Sequence, residues 1–358
     1  MALSKVYFTA VKNSDSVQTV NLKLARLLDE SRILDFICKD DSVAIKIHFG
    51  EEGNIGHVLP EYGRVICDKI RKKLAEPFFT DTNTLYRGKR TNCEDHRNLA
   101  YRHGFTKEIC GADVVIPDDN DKTSMIDVAI KGKFFKTAKI FSLFLRSDAL
   151  VDIAHFKGHL MTGFGGALKN IGMGCATMEG KLAQHSDIAP VIDIKKCTAC
   201  MACAESCPPD AIYLKGHIVY IDSSKCIGCA SCIAACTQKA IDVNWEAGGS
   251  DVSEKMAEYA SAILKNKKDK AAFINFAIKI TKECDCLAKD DPRISPDIGI
   301  FASNDPVSID KACYDSVIET CGKDIFKIAH PRRDGFKQLR YAHELDLGEL
   351  EYELVEIK

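Results

Sequence analysis

Two short runs of cysteine constrain this chain more than any other feature. Cys197, Cys200, Cys203 and Cys207 follow the pattern Cys-x-x-Cys-x-x-Cys-x-x-x-Cys, and Cys226, Cys229, Cys232 and Cys236 repeat it. Pro208 follows the first run and Thr237 the second. Thiolates separated by two residues on a tight loop converge on one iron-sulfur cubane, whereas the fourth cysteine of such a run reaches the neighbouring cluster. The spacing therefore predicts two [4Fe-4S] clusters. One is held by Cys197, Cys200, Cys203 and Cys236, the other by Cys226, Cys229, Cys232 and Cys207. A pair of zinc ribbons is the competing reading, because Cys-x-x-Cys also suits tetrahedral zinc, but the exact repetition of the longer spacing argues against it.

The surrounding residues extend the pattern. Residues 191–245 resemble a two-cluster bacterial ferredoxin as a whole: Ala211-Ile212 and Ala240-Ile241 follow the two runs, and the resemblance implies that they begin short strands over the clusters. Lys215-Gly216-His217 would be the turn of the first hairpin.

At 358 residues the chain is several-fold longer than such a module, so a second, larger core is required. Hydrophobic residues at 46%, charged residues at 28% and a formal charge of −2 describe an ordinary soluble protein with no electrostatic pull toward nucleic acid. The N-terminus lacks a long apolar signal core, and the lipophilic stretches near Phe141 and Phe273 are broken by polar residues, so neither export nor a membrane span is expected. Seventeen cysteines in a chain of this kind point to reduced thiols and a reducing cytoplasm, that of an anaerobe.

Outside the cysteine-rich stretch, apolar runs such as Ser42–Ile47 and residues 149–154 alternate with helical periodicity at residues 17–36, 62–74, 252–265 and 307–320. This predicts an α/β fold: a mostly parallel sheet flanked by helices, carrying an inserted α+β ferredoxin-like domain. The expected domains are residues 1–190 and 246–358 as two parts of the α/β unit, with 191–245 inserted and Gly248-Gly249 as a joint. Residues after Phe336 read as an acidic tail. Ligands of such sheets bind beyond the carboxyl ends of the strands, where His48, Asp81, Asn83, Asp118, His155, Cys284 and Asp305 are expected.

Several motifs occur in order along this framework: Lys46-Ile47-His48-Phe49-Gly50-Glu51, Asp81-Thr82-Asn83-Thr84, His96 with His103-Gly104-Phe105, Lys157-Gly158-His159, Gly165-Gly166-Ala167-Leu168-Lys169-Asn170, Cys284-Asp285-Cys286 and Ser303-Asn304-Asp305-Pro306. Together they resemble the family called domain of unknown function 362. That resemblance covers nearly the whole chain outside the cysteine runs and implies redox company, with no settled substrate.

The candidate chemistry rests on these residues. Cys284 and Cys286 suit an additional metal or cluster together with His48, His155 or His159, or else form a pair of reduced thiols or a strained redox dithiol. His48, His155, Lys157, His159 and Lys169 are candidates for acid-base work or for anchoring a small anionic substrate. Asp81, Thr82, Asn83 and Thr84, with Arg87, Lys89 and Arg90 behind them, suit the phosphate of a flavin or substrate, unless they form a simple turn. Gly165 and Gly166 ahead of Lys169 are a second candidate anion site. Asp305 before Pro306 suits a helix N-cap or a site role. No dinucleotide-binding glycine fingerprint follows a strand.

The expectation is an iron-sulfur oxidoreductase of anaerobic metabolism that relays electrons from a redox partner protein, a ferredoxin or similar carrier, to a small-molecule, metal or flavin site on the α/β domain. The alternative is a non-catalytic ferredoxin-type electron carrier or a metal-delivery protein.

Overall fold

The computed structural model describes residues 3–85, 88–185, 189–207, 209–226, 230–242 and 251–358. Cys229, Arg87 and the expected joint at Gly248-Gly249 lie outside the described residues.

Sixteen strands are described: β1 (Ser4–Ala10), β2 (Ser42–Ile47), β3 (Glu76–Thr80), β4 (Val114–Val115), β5 (Met125–Ala129), β6 (Thr137–Phe141), β7 (Ala149–His155), β8 (Lys157–His159), β9 (Gly163–Gly165), β10 (Val191–Ile192), β11 (Ile212–Lys215), β12 (Ile218–Ile221), β13 (Ile241–Asp242), β14 (Ala271–Ala277), β15 (Gly299–Ser303) and β16 (Tyr352–Glu356). Eight of them form one sheet in the order β16-β1-β15-β14-β7-β2-β3-β4. Every neighbouring pair is parallel except those made by β15, which runs against both β1 and β14.

The central strands β2, β7 and β14 are near-continuous apolar runs because both faces of the sheet are covered. Alternate residues feed two cores. Val43, Ile45, Val151 and Ile274 face the helices Val17–Ser31 and Pro60–Lys72. Ala44, Leu150 and Phe273 face the helices Ala167–Gly172, Val252–Leu264 and Pro306–Cys321. Because β14 pairs with β7, segments on either side of the cysteine-rich stretch are direct neighbours in the sheet.

Three expectations change. Helix Val252–Leu264, whose periodicity suits an amphipathic element, is buried from Val252 to Ile263, so it is a core helix. Its charged residue Glu258 is paid for locally: it accepts from the backbone N–H groups of Phe134 (2.9 Å) and Phe135 (2.8 Å) and from the Tyr341 hydroxyl (2.7 Å). The C-terminal stretch is no loose tail, since Lys337–Glu344 is a helix and β16 completes the sheet edge beside β1. The reversal of β15 sends Asp305 to the opposite edge from His48 and Asp81. There Asp305 caps Pro306–Cys321, accepting from the N–H groups of Val307 (2.9 Å) and Ser308 (2.8 Å).

Within the cysteine-rich stretch, β11 and β12 form a hairpin turning at Gly216, whose φ of +65° favours glycine. β10 pairs with β13 beside it. No helix among the described residues is long and apolar enough to cross a membrane.

Candidate functional site

Parallel strands deliver their carboxyl ends to one edge of the sheet, and a cavity of about 410 Å³ opens there. His48 follows β2, Asp81 follows β3, and the hairpin β8–β9 that continues from β7 contributes Lys157 and His159. Lys169 and Asn170 enter from helix Ala167–Gly172, Lys181 and His185 from helix Met178–His185, and Cys284 and Cys286 from the turn after β14.

The wall is rich in buried cations. Lys46 pairs with Asp81 at 2.9 Å and donates to Asn170 at 2.8 Å, while Arg90 pairs with Glu51 at 3.2 Å. Burial alone would raise the Asp81 carboxyl, but the Lys46 charge together with those of His96, Lys181 and Arg90 outweighs that and holds it below its usual range. Lys169 and Lys181 differ, because among the described residues neither has a carboxylate at ion-pair distance. Lys181 donates to the carbonyls of Thr82 and Asn83 and to the Thr82 hydroxyl, and burial pulls its ammonium down to about 8. Lys169 donates to the Cys284 sulfur at 3.5 Å.

The histidines divide into different roles. His155 is buried, with Nδ1 on Asp285 (2.8 Å) and Nε2 on the Ile278 carbonyl (2.9 Å), so both nitrogens are engaged away from the cavity. Burial would raise the Asp285 carboxyl, but His155 and Lys157 hold it well below the carboxylate range. His48 accepts from Gly50 N–H (3.0 Å) and faces Arg90 (2.8 Å); burial and then the Arg90 charge keep the ring neutral. His159 accepts from Thr162 N–H at Nδ1 (3.2 Å), which leaves Nε2 as its protonated nitrogen, and burial followed by the Lys169 charge keeps it neutral. His159 lines the cavity as a hydrogen-bond donor rather than as an imidazolium.

The two proposed phosphate cradles are occupied by the protein itself. Thr82 donates to the carbonyls of Gly174 and Ala176 (both 3.0 Å), Asn83 to the Asp119 carboxylate (2.9 Å), and Thr84 to the Arg90 carbonyl (3.3 Å), as in a structural turn. A phosphate there would also meet the Asp81 carboxylate. At the second cradle, Asp310 already caps helix Ala167–Gly172, accepting from Ala167 N–H (2.7 Å) and Leu168 N–H (3.0 Å). Gly165 and Gly166 are small for packing reasons: a Cβ would lie 2.6 Å from the Lys169 side chain and 2.2 Å from Asp310, respectively.

The described cysteines of the two runs line two small voids. One small void is lined by Cys197, Cys200, Cys203 and Cys236, and another by Cys207, Cys226 and Cys232. Equivalent backbone N–H groups point at equivalent sulfurs, Ala211 to Cys207 (3.3 Å) and Ala240 to Cys236 (3.2 Å). Met201 and Ala230, each following the second cysteine of its run, take left-handed backbone at φ +63° and +60°, a cost that both copies retain. Among the described residues no three His, Cys, Asp or Glu side chains converge on one metal ion. A cubane does not ask for that, since its thiolates surround four irons rather than one. The same finding bears on Cys284 and Cys286: of their expected histidine partners, His48 and His155 have both ring nitrogens engaged elsewhere, and His159 forms no ligand group with the two sulfurs. Leu85 joins the two regions: it lines the large cavity and packs with Leu182, Ala230 and Ile233, the last two from the second cysteine run.

Residue-by-residue reading passed over Lys46, Lys181 and Asp310. Lys46 had a signal, a charge within a strand whose neighbours are all apolar. Lys181 had none, because only tertiary packing buries it.

A family model described as domain of unknown function (DUF362) matches residues 43–315. Comparison with curated proteins gives no match. Among solved structures, the chain is similar to the lactate racemase apoprotein from Thermoanaerobacterium thermosaccharolyticum, at 14% identity and a TM-score of 0.41, over 76% of this chain and 50% of that one. It is also similar to a Thermotoga maritima protein at 10% identity and a TM-score of 0.41, over 87% of this chain and 60% of that one. The chain thus spans about half to three-fifths of the length of these structures.

Proposed function

The chain belongs to the domain of unknown function 362 family, and from that premise we propose that it is an iron-sulfur oxidoreductase acting on a small anionic molecule bound in the strand-end cavity. Cys197, Cys200, Cys203 and Cys236 would hold one [4Fe-4S] cluster, and Cys207, Cys226 and Cys232 with Cys229 the other. When bound, such clusters exchange single electrons with a partner protein.

The observation that carries the reading is the junction at Leu85, which brings the second cysteine run against the wall of a cavity containing two buried ammonium groups without carboxylate partners. A buried charge without a counter-ion costs several kcal/mol, so Lys181 favours an anion beside it, and Lys169, which faces the Cys284 sulfur, adds positive charge to the same cavity. His159 would donate from Nε2 to a substrate oxygen, while Lys157, which donates to the His155 carbonyl (2.8 Å) and pairs with Asp285 at 3.5 Å, would keep that part of the wall fixed. Lys181, whose ammonium is already weakened by burial, is suited to giving up or taking a proton near neutral pH.

The test is anoxic purification with iron, acid-labile sulfide, zinc and flavin analysis, followed by reoxidation of the reduced protein with small carboxylates. About eight irons per chain are expected, with loss of roughly half on Cys207→Ser or Cys236→Ser and slower reoxidation in Lys169→Met. Zinc in place of iron would reject the reading. Full iron with reoxidation indifferent to every anion would leave a carrier.

A further inference from the structure

The turn after β14 holds two sulfurs in a setting that the functional reading above does not use. Leu287 N–H returns to the Cys284 carbonyl at 3.1 Å, closing a tight turn over Cys284-Asp285-Cys286. The turn sends Cys284 and Cys286 into the cavity wall and Asp285 backward onto His155 and Lys157. Cys284 is 5% exposed, and its sulfur faces the Lys169 ammonium at 3.5 Å. Among the described residues of the wall, nothing else combines a cysteine pair with an ammonium group.

We propose that Cys284 and Cys286 form a redox-active dithiol that reduces the disulfide bond of an anionic low-molecular-weight substrate, with Cys284 attacking and Cys286 resolving. This deepens the oxidoreductase reading and rests on it only for the supply of electrons.

The chemistry follows from the arrangement. The Cys284 thiolate attacks one sulfur of the substrate, forming a mixed disulfide and expelling the first substrate thiolate, which takes up a proton. Cys286, losing its proton, then attacks the Cys284 sulfur. The Cys284–substrate bond breaks and the second substrate thiol leaves. One substrate disulfide and two protein thiols thus become two substrate thiols and a Cys284–Cys286 disulfide. Regeneration takes two electrons and two protons, supplied in two single-electron deliveries by a reducing partner protein.

Two features fit an attacking and a resolving role rather than two equal thiols. Pairing with Cys286, then the Lys169 and Lys157 charges, carries Cys284 well below the usual thiol range against the effect of burial, while pairing with Cys284 and burial carry Cys286 well above it. A disulfide across one intervening residue is strained, which makes it readily reducible and suits a catalytic pair rather than a structural one. The cationic wall supplies the preference for an anionic disulfide.

The experiment uses the full-length protein under anoxia with its iron, and dithiodiglycolate as the anionic probe. Bis(2-hydroxyethyl) disulfide serves as a neutral probe of similar size. Peptide mapping by mass spectrometry should find a Cys284–Cys286 disulfide, with two thioglycolates released per pair and a rate at least ten-fold higher for the anionic probe. Cys286→Ser should trap the mixed disulfide on Cys284, and Cys284→Ser should abolish both products. Lys169→Met should slow trapping at neutral pH and approach the parent rate at alkaline pH, a profile that mere unfolding would not give. An adduct on Cys286 instead, equal rates for the two probes, or a metal ion retained by the pair and blocking exchange would overturn the proposal. Exchange needs no iron, so its failure in protein with intact clusters counts against the dithiol alone. Normal exchange in protein that binds no iron counts against the cluster reading alone.

Discussion

Lys181 offers a measurement in which stability reports on the site. Burial brings its ammonium from 10.5 down to about 8, with no carboxylate bonded to it to offset the loss of water. That displacement corresponds to about 3 kcal/mol. The sign follows from proton linkage. Between the two values the unfolded chain holds the proton and the folded chain has released it, so folding stability rises with pH across this window. Below about pH 8 the full cost is present; above 10.5 it is gone. The slope should approach about 1.4 kcal/mol per pH unit near its steepest. Urea unfolding followed by circular dichroism at intervals from pH 7 to 10, on the parent and on Lys181→Met, isolates the contribution. The variant should lack this part of the slope. It also forfeits the bonds to Thr82 and Asn83, so the difference between slopes matters rather than the absolute stabilities. Identical slopes would refute the argument. A bound anion should erase the slope in the parent, because a counter-ion restores the ammonium.

Two further perturbations bear on the scaffold. Asp310→Asn places an amide N–H against a backbone donor at the start of helix Ala167–Gly172, and should cost about 2 kcal/mol, read by denaturant midpoint, with weaker anion binding because Lys169 shifts. Asp305→Ala removes an N-cap at the opposite edge and should cost about 1 kcal/mol in the same assay while leaving anion binding unchanged.

Local spacing carries the cysteine grouping, since three sulfurs on one loop have few ways to face anything but each other. Apolar runs likewise announce β2, β7 and β14, because strands covered on both faces have nowhere to place polar residues except at their ends. What spacing does not carry is direction. Ile298 to Ala302 reads as one more buried strand, and nothing local says that β15 opposes its neighbours, so Asp305 was expected at the wrong edge. The burial of helix Val252–Leu264 was hidden for a related reason: Glu258 reads as solvated until the N–H groups of Phe134 and Phe135, more than a hundred residues earlier, are seen to meet it. Thr82, Asn83 and Thr84 read as a phosphate loop because the same donors serve a turn, and only their partners tell the two apart.

The pairing of β14 with β7 also has a consequence for biosynthesis. A ribosome emits β7 before the entire cysteine-rich stretch and β14 after it, so the nascent sheet waits with an open, apolar border while the cysteine-rich segment emerges. Any delay in that interval exposes the border to other chains, which ties safe production of the larger core to how quickly its passenger is made.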